Sequence, residues 1–76
     1  MESYVGVAVS KACLDVAVHG GTAWRVCHDP QGIAALIIRL HALAPALVVC
    51  EATGGWEGAL VAALHAADVR AALATV

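Results

Sequence analysis

Tyr4-Val5-Gly6-Val7-Ala8-Val9 is a short, nearly continuous apolar run rich in valine. Its brevity and β-branched content predict a strand, and its continuity predicts one buried on both faces. Ser10-Lys11 interrupts the run, and Cys13 to Val18 (CLDVAV) reads as a second strand. Asp15 within it is expected to face an edge or solvent. Gly20-Gly21 signals a turn. Ala23 to His28 (AWRVCH) then reads as a third strand, and three strands joined by short turns predict an antiparallel meander.

Working outward, Asp29-Pro30 marks a helix start, with Asp29 as cap and Pro30 at the first helical position. Ile33, Leu36, Ile37, Leu40 and Leu43 recur at helical spacing and form an apolar stripe, with Arg39 off it. Pro45 ends the helix. Ala46 to Cys50 (ALVVC) is another continuous apolar strand. Because a helix precedes it, this strand is expected to run parallel to an earlier one through a right-handed crossover. A second helix is predicted from Trp56 to Ala67, with Leu60, Val61 and Leu64 inward, and a fifth strand from Val69 to Ala74. The order is three strands, helix, strand, helix, strand: an α/β fold with a mixed sheet. The first strand should lie beside the strand ending at Cys50.

Composition narrows the functional classes. With 76 residues the chain holds one small domain at most. A domain this size buries only about 60% of the surface its unfolded chain exposes. Hydrophobic residues make up 62% and charged residues 13%. That excludes a disordered tail and leaves few residues to coat the outside, so self-association is expected. Mean hydropathy is +0.85, yet the longest charge-free stretch, between Arg39 and Glu51, is broken by Pro45 and is too short to span a membrane. Glu2 and Lys11 spoil a secretory signal, so a cytoplasmic location is expected. Net charge is −2, and Lys11, Arg25, Arg39 and Arg70 make no patch. Tight nucleic-acid binding leans on clustered cations, so this segment alone is expected to bind DNA weakly or not at all.

Cys13, Cys27 and Cys50 are odd in number and contain no CxxC pair, so neither a disulfide framework nor a zinc site is expected, and each reads as a buried small hydrophobe. His19, His28, His41 and His65 lack ligand spacing and are expected at surface or loop positions. Gly54-Gly55 belongs to no phosphate-binding motif and reads as a turn. Ser10 and Lys11 have no triad partner at an informative spacing. Glu51 is different. It stands at the carboxyl end of a buried strand, where ligands gather in open α/β sheets, and a carboxylate there is placed to ligate a metal. The bland alternative is a helix-dipole charge.

Tyr4-Val5-Gly6-Val7-Ala8-Val9-Ser10-Lys11, with Leu14-Asp15-Val16, resembles the opening Y-x-G-[IV]-D-[VI]-[SA]-K-x-x-[LI]-D-V of the DEDD transposases of the insertion-sequence one-ten family, relatives of the Piv DNA invertases. Val48-Val49-Cys50-Glu51-Ala52-Thr53-Gly54-Gly55-Trp56-Glu57 resembles that family's V-x-x-E-[AP]-T-G-x-[YW]-E, and Asp29-Pro30-Gln31-Gly32 looks like its N-x-x-x-G helix entry. The resemblance covers essentially the whole chain, residues 1–76. It implies a RuvC-like, ribonuclease-H-like domain in which four acids, in the order D, E, D, D, bind Mg2+ for phosphodiester transfer on DNA. Glu51 matches the glutamate, as catalytic residue and metal ligand. Ala8 occupies the first acid position, Asp15 matches a separate family aspartate, and the last two acids fall beyond Val76. Thr75-Val76 stands where the family shows Asn-Pro. The resemblance therefore implies a truncated DEDD domain that binds no Mg2+ tightly and is catalytically inactive as it stands. Two alternatives stand beside it: a non-catalytic module that pairs with intact transposase, and a fragment of an actin-like or sugar-kinase ATPase domain, which shares the three-strand opening but not the Glu51-Ala52-Thr53-Gly54-Gly55 block.

Overall fold

A computed structural model describes residues 3–52 and 54–75, the last by its backbone alone. Its elements are β1 (Tyr4–Val9), β2 (Cys13–Val18), β3 (Ala23–Cys27), α1 (Pro30–Leu43), β4 (Leu47–Ala52), α2 (Gly58–Ala66) and β5 (Ala71–Thr75). The strands form one sheet in the order β3-β2-β1-β4-β5. β2 is antiparallel to both β1 and β3, whereas β4 is parallel to both β1 and β5. The meander is antiparallel as expected, and β4 runs parallel to β1 and lies beside it.

Local chemistry explains each join. The Ser10 hydroxyl donates to the Cys13 carbonyl at 2.9 Å and accepts from the Cys13 N–H at 3.2 Å. That closes the β1–β2 turn and gives Ser10 a structural task. The β2–β3 turn passes through Gly20 at φ 74°, a left-handed conformation that glycine adopts without strain. Asp29 caps α1, its carboxylate accepting from the Gly32 N–H at 2.7 Å, and Pro30 opens the helix. Gly32 is required by space: a Cβ there would overlap the Cys27 carbonyl oxygen.

Both helices pack on one face of the sheet. Val5, Val7 and Val9 of β1, Leu14 and Val16 of β2, and Val48 and Cys50 of β4 share one core with Leu36 and Leu40 of α1 and Leu60 and Leu64 of α2. Val61, Ile33 and Ile37 are half-buried. Arg39, off the apolar stripe, stacks its guanidinium 3.9 Å from the centre of the Trp24 ring. This contact ties α1 to the edge strand β3.

Several expectations need correction. β1 is buried on one face, not two: Tyr4 and Ala8 are exposed and Gly6 is half-buried, alternating with the buried valines. An apolar run of small side chains does not distinguish a strand covered twice from one covered once. β4 extends past Cys50 to Ala52, so Glu51 lies within the strand rather than in its exit. α2 begins at Gly58, because Gly54 and Gly55 take positive φ and delay it. β3 stops at Cys27 and β5 starts at Ala71, after Asp68 adopts φ 58°. Cys50 is buried, but Cys13 is half-buried and Cys27 exposed, because both point to the uncovered face. His19, His41 and His65 are exposed; His28 is half-buried and donates from Nδ1 to the Ser10 carbonyl at 2.6 Å. Thr53 and Val76, which entered the sequence comparison, lie outside the described residues. Among the described residues no helix is long and apolar enough to cross a membrane.

The end of α1 supplies a test. Ala44 follows the helix at φ 47° and ψ 57°, with its N–H donating to the Leu40 carbonyl at 2.8 Å. The left-handed conformation costs a non-glycine residue about 1–2 kcal/mol, offset in part by the greater unfolded-state freedom of glycine. Ala44→Gly is expected to stabilise the fold by about 0.5–1 kcal/mol. Chemical denaturation with an unchanged m-value checks this, and Gly32→Ala should shift the midpoint in the opposite direction.

Candidate functional site

The helix-free face of the sheet carries the chemistry. Strand alternation sends the β1 valines into the core, so Gly6 and Ala8 point the other way. Register then aligns a single row across four strands. Arg25 of β3 faces Asp15 of β2, Asp15 faces Ala8 of β1, and Ala8 faces Glu51 of β4. These residues border an open concavity of about 510 Å³, floored by Gly6, Ala8, Ala17 and Ala23. Small residues leave the sheet backbone accessible there.

Charges in the row are unevenly matched. The Arg25 guanidinium donates from Nε to Asp15 Oδ1 at 2.7 Å, with side chains 68% and 48% exposed. The hydrogen bond to Asp15, and then its negative charge, raise the Arg25 pKa above its ordinary value. The pair is solvated, so it contributes little to stability. Its effect is directional: Asp15 is drawn toward β3 and away from Ala8. Glu51 is exposed and makes no hydrogen bond or ion pair within the described residues. Adjacent strands are about 4.8 Å apart, so the Asp15 and Glu51 backbones stand about 10 Å apart across Ala8.

Sequence reasoning places Glu51 at the carboxyl end of β4 and Ala8 on the neighbouring strand, and both positions agree with the structure. Asp15 also faces solvent, but on the same face as Glu51. Arg25, in the sequence only one of four scattered cations, belongs to this row. The alternation of β2 and β3 is the signal that would have found both. Across the carboxyl ends of the strands, the Lys11 ammonium sits 5.7 Å from the centre of the Trp56 ring. It joins the β1–β2 turn to the loop after β4. Glu57, at the start of α2, makes no capping hydrogen bond, and its Oε2 is buried without a partner. Its charge is placed favourably only toward the helix N-terminus. Among the described residues no three His, Cys, Asp or Glu side chains cluster so as to hold a metal ion.

The chain superposes on solved structures of the Thermus thermophilus protein RuvC. One, in complex with a Holliday junction substrate, aligns at TM-score 0.74 and 18% identity over 99% of this chain. Another Thermus thermophilus RuvC structure aligns at TM-score 0.70 and 21% identity over 96% of this chain. The fold is RuvC-like. The 76 residues span 65% and 61% of the lengths of those two chains. No protein-family model matches this chain, and no curated protein matches it by sequence. The architecture is thus the RuvC-like, ribonuclease-H-like one that the resemblance to the transposases implies, while identities this low speak to fold alone.

The buried thiol gives a prediction in pH. Burial pushes the Cys50 pKa up from its ordinary 9.0, since desolvation disfavours the thiolate. A group whose pKa is raised on folding stabilises the fold below its unfolded pKa and loses that contribution as pH climbs through the folded value. Stability is therefore expected to fall above pH 9.0, and Cys50→Ala should flatten that slope in denaturation measured across alkaline pH. At neutral pH, thiol titration should modify Cys27 first and leave Cys50 unmodified until the chain unfolds.

Proposed function

We propose that this chain is the opening segment of the RuvC-like domain of a DEDD transposase, and that within these residues the metal site is incomplete. The observation that carries the reading is the register of Ala8 against Glu51. The motif around each residue resembles the transposase's, and the two positions lie side by side on the accessible face. A pair of adjacent-strand carboxylates there would hold a divalent cation against a phosphodiester. Here one of the two is a methyl group.

The residues present do not fit a tightly held Mg2+. Such an ion demands several oxygen ligands at about 2.0–2.1 Å in near-octahedral array. Glu51 supplies one carboxylate, Asp15 is held toward Arg25, and Ala8 supplies none. The two later acids of the D-E-D-D set have no counterpart within residues 1–76. The wide sheet face and its small-residue floor remain suited to contact with an extended strand of nucleic acid. The cations needed to neutralise phosphates are not gathered on it. DNA binding and strand transfer are accordingly assigned to a complete domain rather than to this segment.

Two measurements test the proposal. The 76-residue chain should not nick supercoiled DNA with Mg2+ or Mn2+; nicking abolished by Glu51→Gln would overturn the reading. Ala8→Asp should place a carboxylate directly between those of Asp15 and Glu51. Like charges opposite one another destabilise a sheet by up to about 1 kcal/mol. The variant is therefore expected to melt earlier than the parent chain in chelator. Millimolar Mn2+ should raise its melting temperature clearly while leaving the parent almost unmoved. An equal response of the two proteins to Mn2+ would contradict the assignment of Ala8 to the first acid position.

A further inference from the structure

Cys13 and Cys27 face each other across β2 and β3. The next pair outward in that register is Ala12 and His28, and the His28 N–H donates to the Ala12 carbonyl at 3.0 Å. Antiparallel ladders alternate hydrogen-bonded with non-hydrogen-bonded pairs. Cys13 and Cys27 therefore occupy a non-hydrogen-bonded position, where facing Cα atoms approach to about 4.5 Å. Disulfides bridge Cα separations of about 4.4–6.8 Å, so this pair lies at the short end of the permitted range.

The surroundings favour chemistry at these two thiols. Both are free, and both side chains are on the face that no helix covers. Cys27 is exposed on an edge strand and Cys13 is half-buried, its sulfur 3.3 Å from the Ser10 hydroxyl. A hydroxyl contact is readily exchanged for water when the Cys13 side chain rotates toward its neighbour. The third thiol, Cys50, points into the core on the opposite face and cannot compete.

We propose that Cys13 and Cys27 form a reversible dithiol–disulfide couple that exchanges with small-molecule disulfides. The exposed Cys27 thiolate attacks a disulfide RSSR, forming a mixed disulfide and releasing RS⁻. The Cys13 thiolate then attacks the Cys27 sulfur, closing the cross-strand bond and expelling the second RS⁻. Two protons leave the cysteines and the two expelled thiolates accept them. The protein pair is oxidised by two electrons and RSSR is reduced to two thiols. Closure at the short end of the Cα range makes the bond strained and easily reduced, as a reversible couple requires.

Position gives the couple a consequence. The cysteine pair adjoins Asp15 and Arg25 along the same two strands. β3 is an edge strand, held by β2 on one side and by the Arg39–Trp24 stack from α1. Oxidation clamps β3 to β2 beside the row that contains Ala8 and Glu51. It also removes an exposed thiol that would otherwise cross-link separate chains.

The test uses the 76-residue chain and oxidised glutathione. After reaction, free thiols are alkylated and the protein is digested with trypsin without reduction. Cleavage after Lys11, Arg25 and Arg39 separates Cys13 (residues 12–25) from Cys27 (residues 26–39). The expected result is an intact monomer lighter by two hydrogens, one joined 12–25/26–39 peptide, and an alkylated Cys50. Excess reduced glutathione should reverse the change. In Cys13→Ser the glutathione should remain on Cys27. Glutathione retained on Cys27 in the parent chain without a joined peptide would overturn the proposal. So would links to Cys50 in comparable yield, or cross-links only between chains.

Discussion

Burial of Val5, Val7 and Val9 against the two helices is the constraint on which the rest depends. β1 is the central strand, bonded to β2 on one side and β4 on the other. Side chains alternate strictly along a strand, so committing the valines to the core commits Gly6 and Ala8 to the other face. Register carries that choice outward: Leu14 and Val16 join the core while Asp15 emerges, and Val48 and Cys50 join it while Glu51 emerges. A slip of one residue would bury Asp15 and Glu51 and expose the valines. Desolvating two carboxylates without partners forbids it. The position of the polar row is therefore set by hydrophobic packing, and the Arg25–Asp15 ion pair adds to it only at the β3 end.

Much of this was legible in the residues. All five strands and both helices were readable from periodicity and punctuation, and the parallel placement of β4 beside β1 followed from the intervening helix. Element ends were less legible, because they depend on single backbone conformations. Gly54 and Gly55 at positive φ hold α2 back to Gly58, and Asp68 at φ 58° holds back β5. The two-sided burial assigned to β1 failed for another reason. Gly6 and Ala8 are small enough to sit on an open face without a large hydrophobic penalty, so their apolarity carried no information about cover. Glu51 was found through its place at a strand end. Asp15 and Arg25 were not grouped with it, because the grouping needs the registers of three pairings at once. The opposition of Cys13 and Cys27 was hidden in the same way: they are far apart in sequence, and only the β2–β3 register brings them together.

Two stacking contacts brace the periphery. Arg39 on Trp24 fastens α1 to the β3 edge, and Lys11 by Trp56 fastens the β1–β2 turn to the loop that follows β4. Each uses a cation that composition alone would have assigned to solvent. With Arg25 engaged by Asp15, three of the four basic residues are committed to internal contacts. Of these, only Arg25 has its charge balanced by an anion. The helix-free face presents its small-residue floor, the Arg25–Asp15 pair and Glu51.

Ala8 stands between Asp15 and Glu51 on the exposed face of the sheet. Nuclear Overhauser contacts from the Ala8 methyl group in isotope-labelled protein test that placement most directly. The account predicts contacts to the side-chain methylenes of Glu51 and Asp15 and none to the methyls of Leu36 or Leu64. Contacts from Ala8 to those leucines, with the Val7 and Val9 methyls freely accessible to a soluble paramagnetic probe, would show the opposite register and contradict it.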